Sequence, residues 1–412
     1  MSKKINMGIG FVTGRPNVCK IINSYYSEIL NQVKDKKEQI NLTFFVLFDL
    51  SYQFTKRTDF YGIIPDAYKE NIEIRYITPE DIEEDKKILI SRYGMTKEEA
   101  NLFLGHGHAK GRNTVMYYAL KNHMDYLLFW DDDEYPIANI KGEDNSIIWK
   151  KQNNVLMHLK HIPRADVTIG HHCGYISPIP YIDYHDDISE EDFKNYIEAI
   201  SNEIVSWESI KEKFEKDNGV TYADEKIANG DGAYEIEATN GGKWVAGSTL
   251  CLNLNHVEKI PAFYNPPEAR GEDTFFSVNL VDSKVVKAST YHFHDGFLKY
   301  TGIMKGNYPK TLRRIKYTED EIEQRFLKAS KGWIRYKPLL MYILDKEHYE
   351  EKIKVVYEKL KKSIPTINPL FENSDFNVLL KELKSYDKNV EKHYQEFLKT
   401  NEIWTRLKNL IK

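Results

Sequence analysis

Apolar and polar positions follow two rhythms along the first three hundred or so residues. Runs that are apolar at nearly every position alternate with stretches where apolar residues recur every third or fourth place. The first rhythm reads as strands buried on both faces, the second as amphipathic helices. Met7-Gly8-Ile9-Gly10-Phe11-Val12 predicts a first strand, closed by Thr13-Gly14-Arg15-Pro16. Ile21, Ile22, Tyr25, Ile29, Leu30 and Val33 keep helical spacing and predict a helix over Val18 to Lys34. Leu42 to Phe48 predicts a second strand, ended by Asp49, and Ile72 to Ile77 a third. Pro79 to Tyr93 reads as a helix with a highly charged face. A helix beginning near Arg112 runs through Met116, Ala119 and Leu120 to His123 and leads into the apolar strand Tyr126-Leu127-Leu128-Phe129-Trp130. Ala165 to Gly170 and Lys284 to Ser289 predict further strands, and Trp244 to Leu254 reads as a turn and then a strand. Alternation of this kind predicts a largely parallel sheet covered by helices on both sides.

The rhythm changes in two places. Ser189 to Asn218 is charged and amphipathic, which predicts two inserted helices, and Asn229 to Gly242 is a loop rich in Gly and Asn. From about Thr318 onward, Glu319 to Lys331, His348 to Lys362 and Phe376 to Lys412 favour helix and contain little Gly. The expected division is therefore an α/β domain over 1–316, with an insertion at about 177–242, and a helical module over 317–412. Trp333 to Leu344 is the module's most apolar part and mixes aromatic with basic side chains. It reads first as a surface packed onto the main domain, and second as an interfacial membrane contact.

Composition narrows the classes. A 412-residue chain with 41% hydrophobic residues, 29% charged residues and a net charge of −4 offers no electrostatic footprint for nucleic acid. No apolar run approaches the roughly 20 residues of a membrane span, and no signal-peptide apolar region follows Met1. Cys19, Cys173 and Cys251 are odd in number and far apart, so they suggest a reducing cytosol rather than a disulfide framework. The 28 Tyr suit stacking on sugars or bases, and they suit ordinary cores equally well.

The chemistry concentrates at one strand end. Asp131-Asp132-Asp133-Glu134 follow the apolar strand directly. Four adjacent carboxylates repel one another, and a hard divalent cation such as Mg²⁺ or Mn²⁺ would reverse that sign. The carboxyl ends of parallel strands are also where open α/β sheets bind ligands. A solvated acidic turn ended by Pro136 is the even alternative. Other candidates are two-sided as well. Arg15 beside Gly14 suits a phosphate or base edge, or a plain turn. Arg112 and Asn113 at a helix start suit an anion. Ala246 and Gly247 permit close backbone approach. Asp273, in Arg270-Gly271-Glu272-Asp273, is either a functional acid or a helix cap. His292 and His294 share a strand face, where one of them would complete a metal shell. His106 and His108, like His171-His172-Cys173, lack partners at zinc spacing, which leaves a zinc hydrolase the weakest reading.

Taken in order, Thr13-Gly14-Arg15, Asp49, Gly-x-x-x-Gly-Arg-Asn at 107–113, Asp131-x-Asp133, the Gly247 turn and Glu272-Asp273 resemble the family-2-like glycosyltransferases of the GT-A fold, over roughly residues 6 to 300. The resemblance implies a Rossmann-like, mixed but mostly parallel sheet. It implies that Asp49 contacts the nucleotide base with Thr13, Gly14 and Arg15 beside it, and that Arg112 and Asn113 flank the nucleotide. Asp131 would lie near the ribose, with Asp132 in the same site. Asp133, with Asp131, would hold Mn²⁺ or Mg²⁺, and His294, less so His292, would be a late metal or diphosphate contact. Trp244, Ala246, Gly247 and Arg270 would line the donor and acceptor sugars, and Asp273, with Glu272 beside it, would be the catalytic base. The implied activity is metal-dependent, inverting transfer from a nucleotide-sugar, UDP-linked by preference, to a glycan or other hydroxyl acceptor. Polysaccharide synthesis in the cytoplasm follows by analogy, with peripheral contact to the inner membrane face left open. The sequence departs from the family in its first turn, Thr13 to Pro16, in the long stretch between the second and third strands, and in the large loop from Ser177 to Gly242. A nucleotidyltransferase acting on sugar phosphates is the runner-up, but it would want a Gly-rich phosphate loop carrying a Lys. A catalytically silent sugar-nucleotide-binding protein is a third class, against which Asp131, Asp133 and Asp273 stand intact.

Overall fold

The computed structural model describes residues 4–15, 18–33, 40–50, 55–61, 72–184, 189–201, 206–372 and 375–411. Pro16, Lys34, the middle of the stretch between the second and third strands, and residues 185–188 and 202–205 of the insertion lie outside the described residues. Eleven strands are described: β1 (Ile5–Thr13), β2 (Ile40–Phe48), β3 (Ile72–Ile77), β4 (Tyr126–Trp130), β5 (Glu134–Tyr135), β6 (Ile137–Lys141), β7 (Ile147–Lys151), β8 (Val167–Tyr175), β9 (Ala233–Glu235), β10 (Leu250–Asn253) and β11 (Val285–Asp295). The main sheet runs β3-β2-β1-β4-β10-β8-β11-β5, with β9 on the edge of β11, and β6 and β7 form a separate hairpin. β3, β2, β1 and β4 are mutually parallel, β10 is reversed against both β4 and β8, and β11 is parallel to β8. The architecture is α/β: a mixed sheet flanked by helices, followed by a helical region.

The apolar runs become strands because both faces of the sheet are covered. Phe44, Val46 and Phe48 point into one core with Ile21, Ile22 and Trp130, while Phe45 and Leu47 point into another with Val115, Met116 and Phe129. The helix Pro79–Tyr93 has the predicted ends. Thr78 caps it by accepting from the Asp81 amide, Asp81 bonds back to the Thr78 amide, and Gly94 closes it in the left-handed conformation. Three expectations need correction. The helix expected near Arg112 starts a turn earlier, at His108, behind Gly107. The strand expected over Lys284 to Ser289 begins at Val285 and continues through the following His residues to Asp295 as one strand, β11, with a register break between Lys287 and Tyr291. The Gly- and Asn-rich loop includes β9, which supplies hydrogen-bond partners to the edge of β11 from Val286 to Ala288.

The C-terminal helices Ile322–Leu344, Tyr349–Ile367, Val378–Lys388 and Val390–Ile411 pack on two surfaces. Phe326, Leu360 and Ile364 share an apolar cluster with Phe193, Tyr196 and Ile197 of the inserted helix Glu190–Ile200. Ile403, Trp404 and Leu407 enter a core of the sheet domain beside Phe103 and Ile260. The apolar segment Trp333 to Leu344 is turned inward, with Ile334, Tyr336, Leu339, Leu340 and Met341 buried, so its hydrophobicity is spent on packing. Among the described residues, no helix is long and apolar enough to cross a membrane.

Candidate active site

β1, β2 and β4 run in parallel and end at one edge of the sheet. Thr13 pairs with Phe48 and Phe11 with Trp130, so the turn after β1, Asp49 and Asp131 leave the sheet side by side. The Asp49 amide donates to the Thr13 carbonyl at 2.8 Å. Asp132 accepts from the Thr13 hydroxyl and from Arg15. Arg15 Nη1 also lies 3.1 Å from Asp133 Oδ2. His294 Nε2, from β11, stands 3.7 Å from that same oxygen.

Arg112 connects this edge to a second group of acids. Its guanidinium donates to Asp131 Oδ1 at 3.0 Å, to the Gly247 carbonyl at 2.7 Å and to Glu272 Oε1 at 3.2 Å. The Gly247 amide in turn donates to Asp273 Oδ2 at 3.2 Å, and the Thr274 amide to Asp273 Oδ1 at 2.8 Å. Glycine at 247 leaves room for this contact: a Cβ there would come within 2.6 Å of Arg112 Nη2 and 3.0 Å of Cζ and displace the guanidinium. Three other segments of the chain thus meet on one buried guanidinium. Asp131 remains the open member of the group, its side chain 37% exposed.

Environment divides these acids. Burial raises Asp132 to about 6, against the pull of Arg15. Burial, reinforced by the neighbouring Glu272, raises Asp273 to about 6. Partial burial also raises Asp131, opposed by Arg112. For Asp133 burial is outweighed, chiefly by Arg15 and then His294, and the carboxyl is held below the ordinary range. Glu134 is held well below it, again against burial, by His172 and His292. His294, which burial alone would discharge, is lifted to about 9 by Asp133. Carboxyl groups driven apart in this way, some titrating just below neutrality and others fixed as anions, are the usual setting for proton transfer.

Behind the strand end, Glu134 accepts from Ser248 Oγ at 2.6 Å and His292 Nδ1 at 3.2 Å, with His172 Nε2 at 3.3 Å. The β8–β11 register sets His172 opposite His292, which brings both rings to this carboxylate. His172 meets Ser248 Oγ at 2.9 Å through the same Nε2 that faces Glu134. A hydrolytic triad needs the two ring nitrogens for separate tasks, so this is not one. His171 packs on Tyr291 instead, and the buried Cys173 thiol donates to the His292 carbonyl at 3.4 Å with its pKa pushed up by burial. The His-His-Cys run therefore does not gather as a zinc site.

For Mn²⁺ or Mg²⁺ the donor types fit: Asp131 and Asp133 offer carboxylate oxygens, and His294 faces Asp133 with an imidazole nitrogen. Among the described residues, no three His, Cys, Asp or Glu side chains already converge at ligand spacing. The reason is visible in the ion pairs. Arg112 draws Asp131 one way and Arg15 draws Asp133 another, so guanidinium groups meet the charge that a divalent cation would neutralise.

The remaining predicted residues are dispersed. Asn113 is consumed by the Phe263 backbone, donating to its carbonyl and accepting from its amide, both at 2.8 Å. Gly111 lets its helix sit on β1, since a Cβ would meet Val12 Cγ1 at 2.5 Å. Because that helix begins at His108, Arg112 lies inside it, away from the anion-attracting end, and its observed partners are two carboxylates and the Gly247 carbonyl. Asp49 stands at the end of β2, its charge felt by the half-buried His106. Trp244 donates from its indole to the Thr239 carbonyl at 2.9 Å, and Ala246 is half-buried next to Gly247. The Arg270 amide donates to the Gly332 carbonyl at 3.1 Å, and its side-chain stem lies against that glycine. Sequence reading passed over Ser248, the pairing of His172 with Glu134, and Arg325, whose guanidinium approaches Asp133. A strand-register assignment for β8 and β11 would have found His172; Arg325 carries no motif.

No protein-family model matches this chain, and no curated protein matches it.

Proposed function

We propose that the chain is an inverting glycosyltransferase of the GT-A, family-2-like kind, moving a sugar from a nucleotide-sugar, UDP-linked by preference, to a hydroxyl acceptor. The observation that carries this reading is the Arg112–Gly247 bridge, which couples the acidic strand end at Asp131 to Glu272 and Asp273. The mixed sheet, in which β1, β2 and β4 run parallel and end at one edge, supports it as well.

In this reading Asp273 takes the proton of the acceptor hydroxyl as that oxygen attacks the anomeric carbon from the face opposite the leaving diphosphate. A carboxyl raised to about 6 is a stronger base than an ordinary one while still ionised at neutral pH. The Gly247 and Thr274 amides hold its two oxygens and set its direction. Against burial, His108 and then Arg112 keep Glu272 charged, and Arg112 holds it beside Asp273. Asp133, with Asp131 and His294, would hold Mn²⁺ or Mg²⁺, which supplies neutralisation of the diphosphate's charge. To serve as a ligand His294 must give up the proton that Asp133 now stabilises. Thr13, Arg15 and Asp49 stand at the strand ends where the nucleotide would lie.

Calorimetry with UDP, GDP and CMP, with Mn²⁺ and then with chelator, tests the reading. Metal-dependent binding of UDP that Asp133→Ala abolishes is the expected result. Binding of no nucleotide under either condition defeats it. Release of UDP from a UDP-sugar separates a transferase from a silent binder, and release of pyrophosphate from UTP and a sugar phosphate would favour the nucleotidyltransferase.

A further inference from the structure

The turn that carries Gly247 is held by the residue after it. Ser248 is buried, and its Oγ donates to Glu134 Oε1 at 2.6 Å and lies 2.9 Å from His172 Nε2. A hydroxyl has one proton to give, so toward His172 it accepts, and the imidazole proton sits on Nε2. Glu134 is itself anchored. Its other oxygen faces His292 Nδ1 at 3.2 Å, and its backbone carbonyl accepts from the Tyr25 hydroxyl at 2.6 Å. Through this one side chain the turn is tied to β5, β8 and β11.

The next residue is strained. Thr249 has φ +53°, in the left-handed region where a β-branched side chain is a genuine outlier. It is fully buried, and the Gly170 amide donates both to its carbonyl, at 3.1 Å, and to its Oγ1, at 3.2 Å. Backbone of this kind persists only where its surroundings over-determine it, and such strain gathers at functional sites. The Gly247 amide donates to Asp273 Oδ2 at 3.2 Å and the Gly247 carbonyl accepts from Arg112 at 2.7 Å, so a rotation of this turn would misdirect both. Glycine has no side chain with which to fix its own backbone, and that task falls to Ser248 and Thr249.

We propose that Ser248 is a positioning residue of the site: its hydroxyl, held by Glu134 and His172, fixes the turn so that the Gly247 amide meets Asp273 and the Gly247 carbonyl meets Arg112. This rests on the transferase reading above and adds to it the device that aims the base. The acidic strand end and the base are then coupled twice, by Arg112 from Asp131 to Glu272 and by Ser248 from Glu134 to the Gly247 turn.

The test compares wild type, Ser248→Ala and Ser248→Cys in the full chain, with Trp404→Ala as a control for lost stability. The carboxyl carbon of Asp273, followed by NMR against pH, reads the aim of the turn without any substrate. Calorimetry with Mn²⁺ reads UDP affinity, and release of UDP from UDP-glucose, UDP-galactose and UDP-N-acetylglucosamine reads turnover. In Ser248→Ala the Asp273 midpoint should rise above its wild-type value of about 6, because the carboxylate loses an amide that favours its charged form. Its other charged neighbours, Glu272 and Arg112, are the same in all four proteins. Turnover should fall by about tenfold to a hundredfold, the worth of a hydrogen bond to a charged group, with UDP affinity unchanged. Ser248→Cys should lie between, since a thiol is a weak donor, and Trp404→Ala should leave the midpoint in place. A wild-type midpoint in Ser248→Ala overturns the inference whatever the activity, and so does a midpoint that moves equally in Trp404→Ala. A loss of UDP affinity that tracks the loss of turnover overturns it as well, because the turn would then serve the donor rather than the base. If the midpoint rises but wild type neither binds UDP nor releases it from any of the three sugars, the transferase reading fails while the positioning of Asp273 stands. Should Ser248→Ala fail to fold, Ser248→Cys decides by the same midpoint.

Discussion

Two buried regions of this molecule are built on opposite terms. At the strand ends, Asp131, Asp132, Asp133, Glu134, Glu272 and Asp273 crowd around Arg15, Arg112 and three histidines. At the seam of the last helix, Trp404 stacks on Phe103 at 5.6 Å and Phe397 meets Phe275 at 6.0 Å. The polar atom of that tryptophan is satisfied by the Ile260 carbonyl at 2.8 Å. Apolar burial of the second kind stabilises in proportion to area. Buried ion pairs of the first kind return little beyond their desolvation cost, and a broken pair is worse than none. A chain selected for stability alone would build only the second. The first region is therefore where chemistry should be sought, and substitutions in the two regions should separate activity from stability.

The largest separation is expected at Asp273. Asp273→Asn should lower turnover by about 10²–10⁴-fold, the usual worth of a general base. The urea midpoint at pH 7.5 should stay near that of wild type. Folding raises this carboxyl to about 6, so its ionised form costs stability, a cost that grows as pH rises above the ordinary carboxylate range and is complete above about 6. Asn removes that cost but gives up one of the two amide hydrogen bonds, from Gly247 or Thr274. In wild type, kcat/KM should fall about tenfold per pH unit below about 6. Asp132 is raised to about 6 as well, so the limb must persist in Asp132→Asn if it belongs to Asp273. A fall in midpoint that tracks the fall in turnover would reassign Asp273 to structure.

Next in size is the reverse case. Trp404 is fully buried, and Trp404→Ala should cost about 3–5 kcal/mol in denaturant unfolding. The same variant should keep the donor KM near wild type at a temperature where it remains folded. A donor KM that moved with stability would mean that the seam and the strand ends are one cooperative unit, and the contrast between them would dissolve.

What could be read in the sequence divides along the same line. The apolar strands, the helix from Pro79 to Tyr93 with its Thr78 cap, and the paired inserted helices were legible, because periodicity and capping are local properties. The acidic strand end was legible too, since four adjacent acids are anomalous wherever they occur. What those acids touch was not. Arg112 looked like an anion-binding helix start, but its helix begins at His108 and its partners are Asp131 and Glu272. Asn113 looked like part of a nucleotide motif, and its amide is occupied by Phe263, 150 residues away in sequence. The edge strand β9 was hidden in a Gly- and Asn-rich loop, because it exists only through its pairing with β11. Arg325 was invisible, because its meaning comes from Gly296 and Asp133 rather than from its neighbours in the chain.

The smallest expected effect sharpens the contrast most, because it gives one region a pH dependence that the other lacks. Burial alone would strip His294 of its proton, yet Asp133 lifts it to about 9, above its ordinary value of 6.5. A histidine raised on folding contributes stability that is complete below the unfolded value and is lost as pH rises through the folded one. Metal-free protein should therefore lose on the order of 1 kcal/mol between pH 6.5 and 9, the scale of a partly exposed pair. His294→Gln should flatten that decline, whereas Trp404→Ala should shift the whole curve down without changing its slope. Saturating Mn²⁺ should also flatten it, because a cation shared by Asp133 and His294 replaces the proton and releases it on binding. A decline of the same slope in His294→Gln would place the titrating group elsewhere and remove His294 from the set of donors.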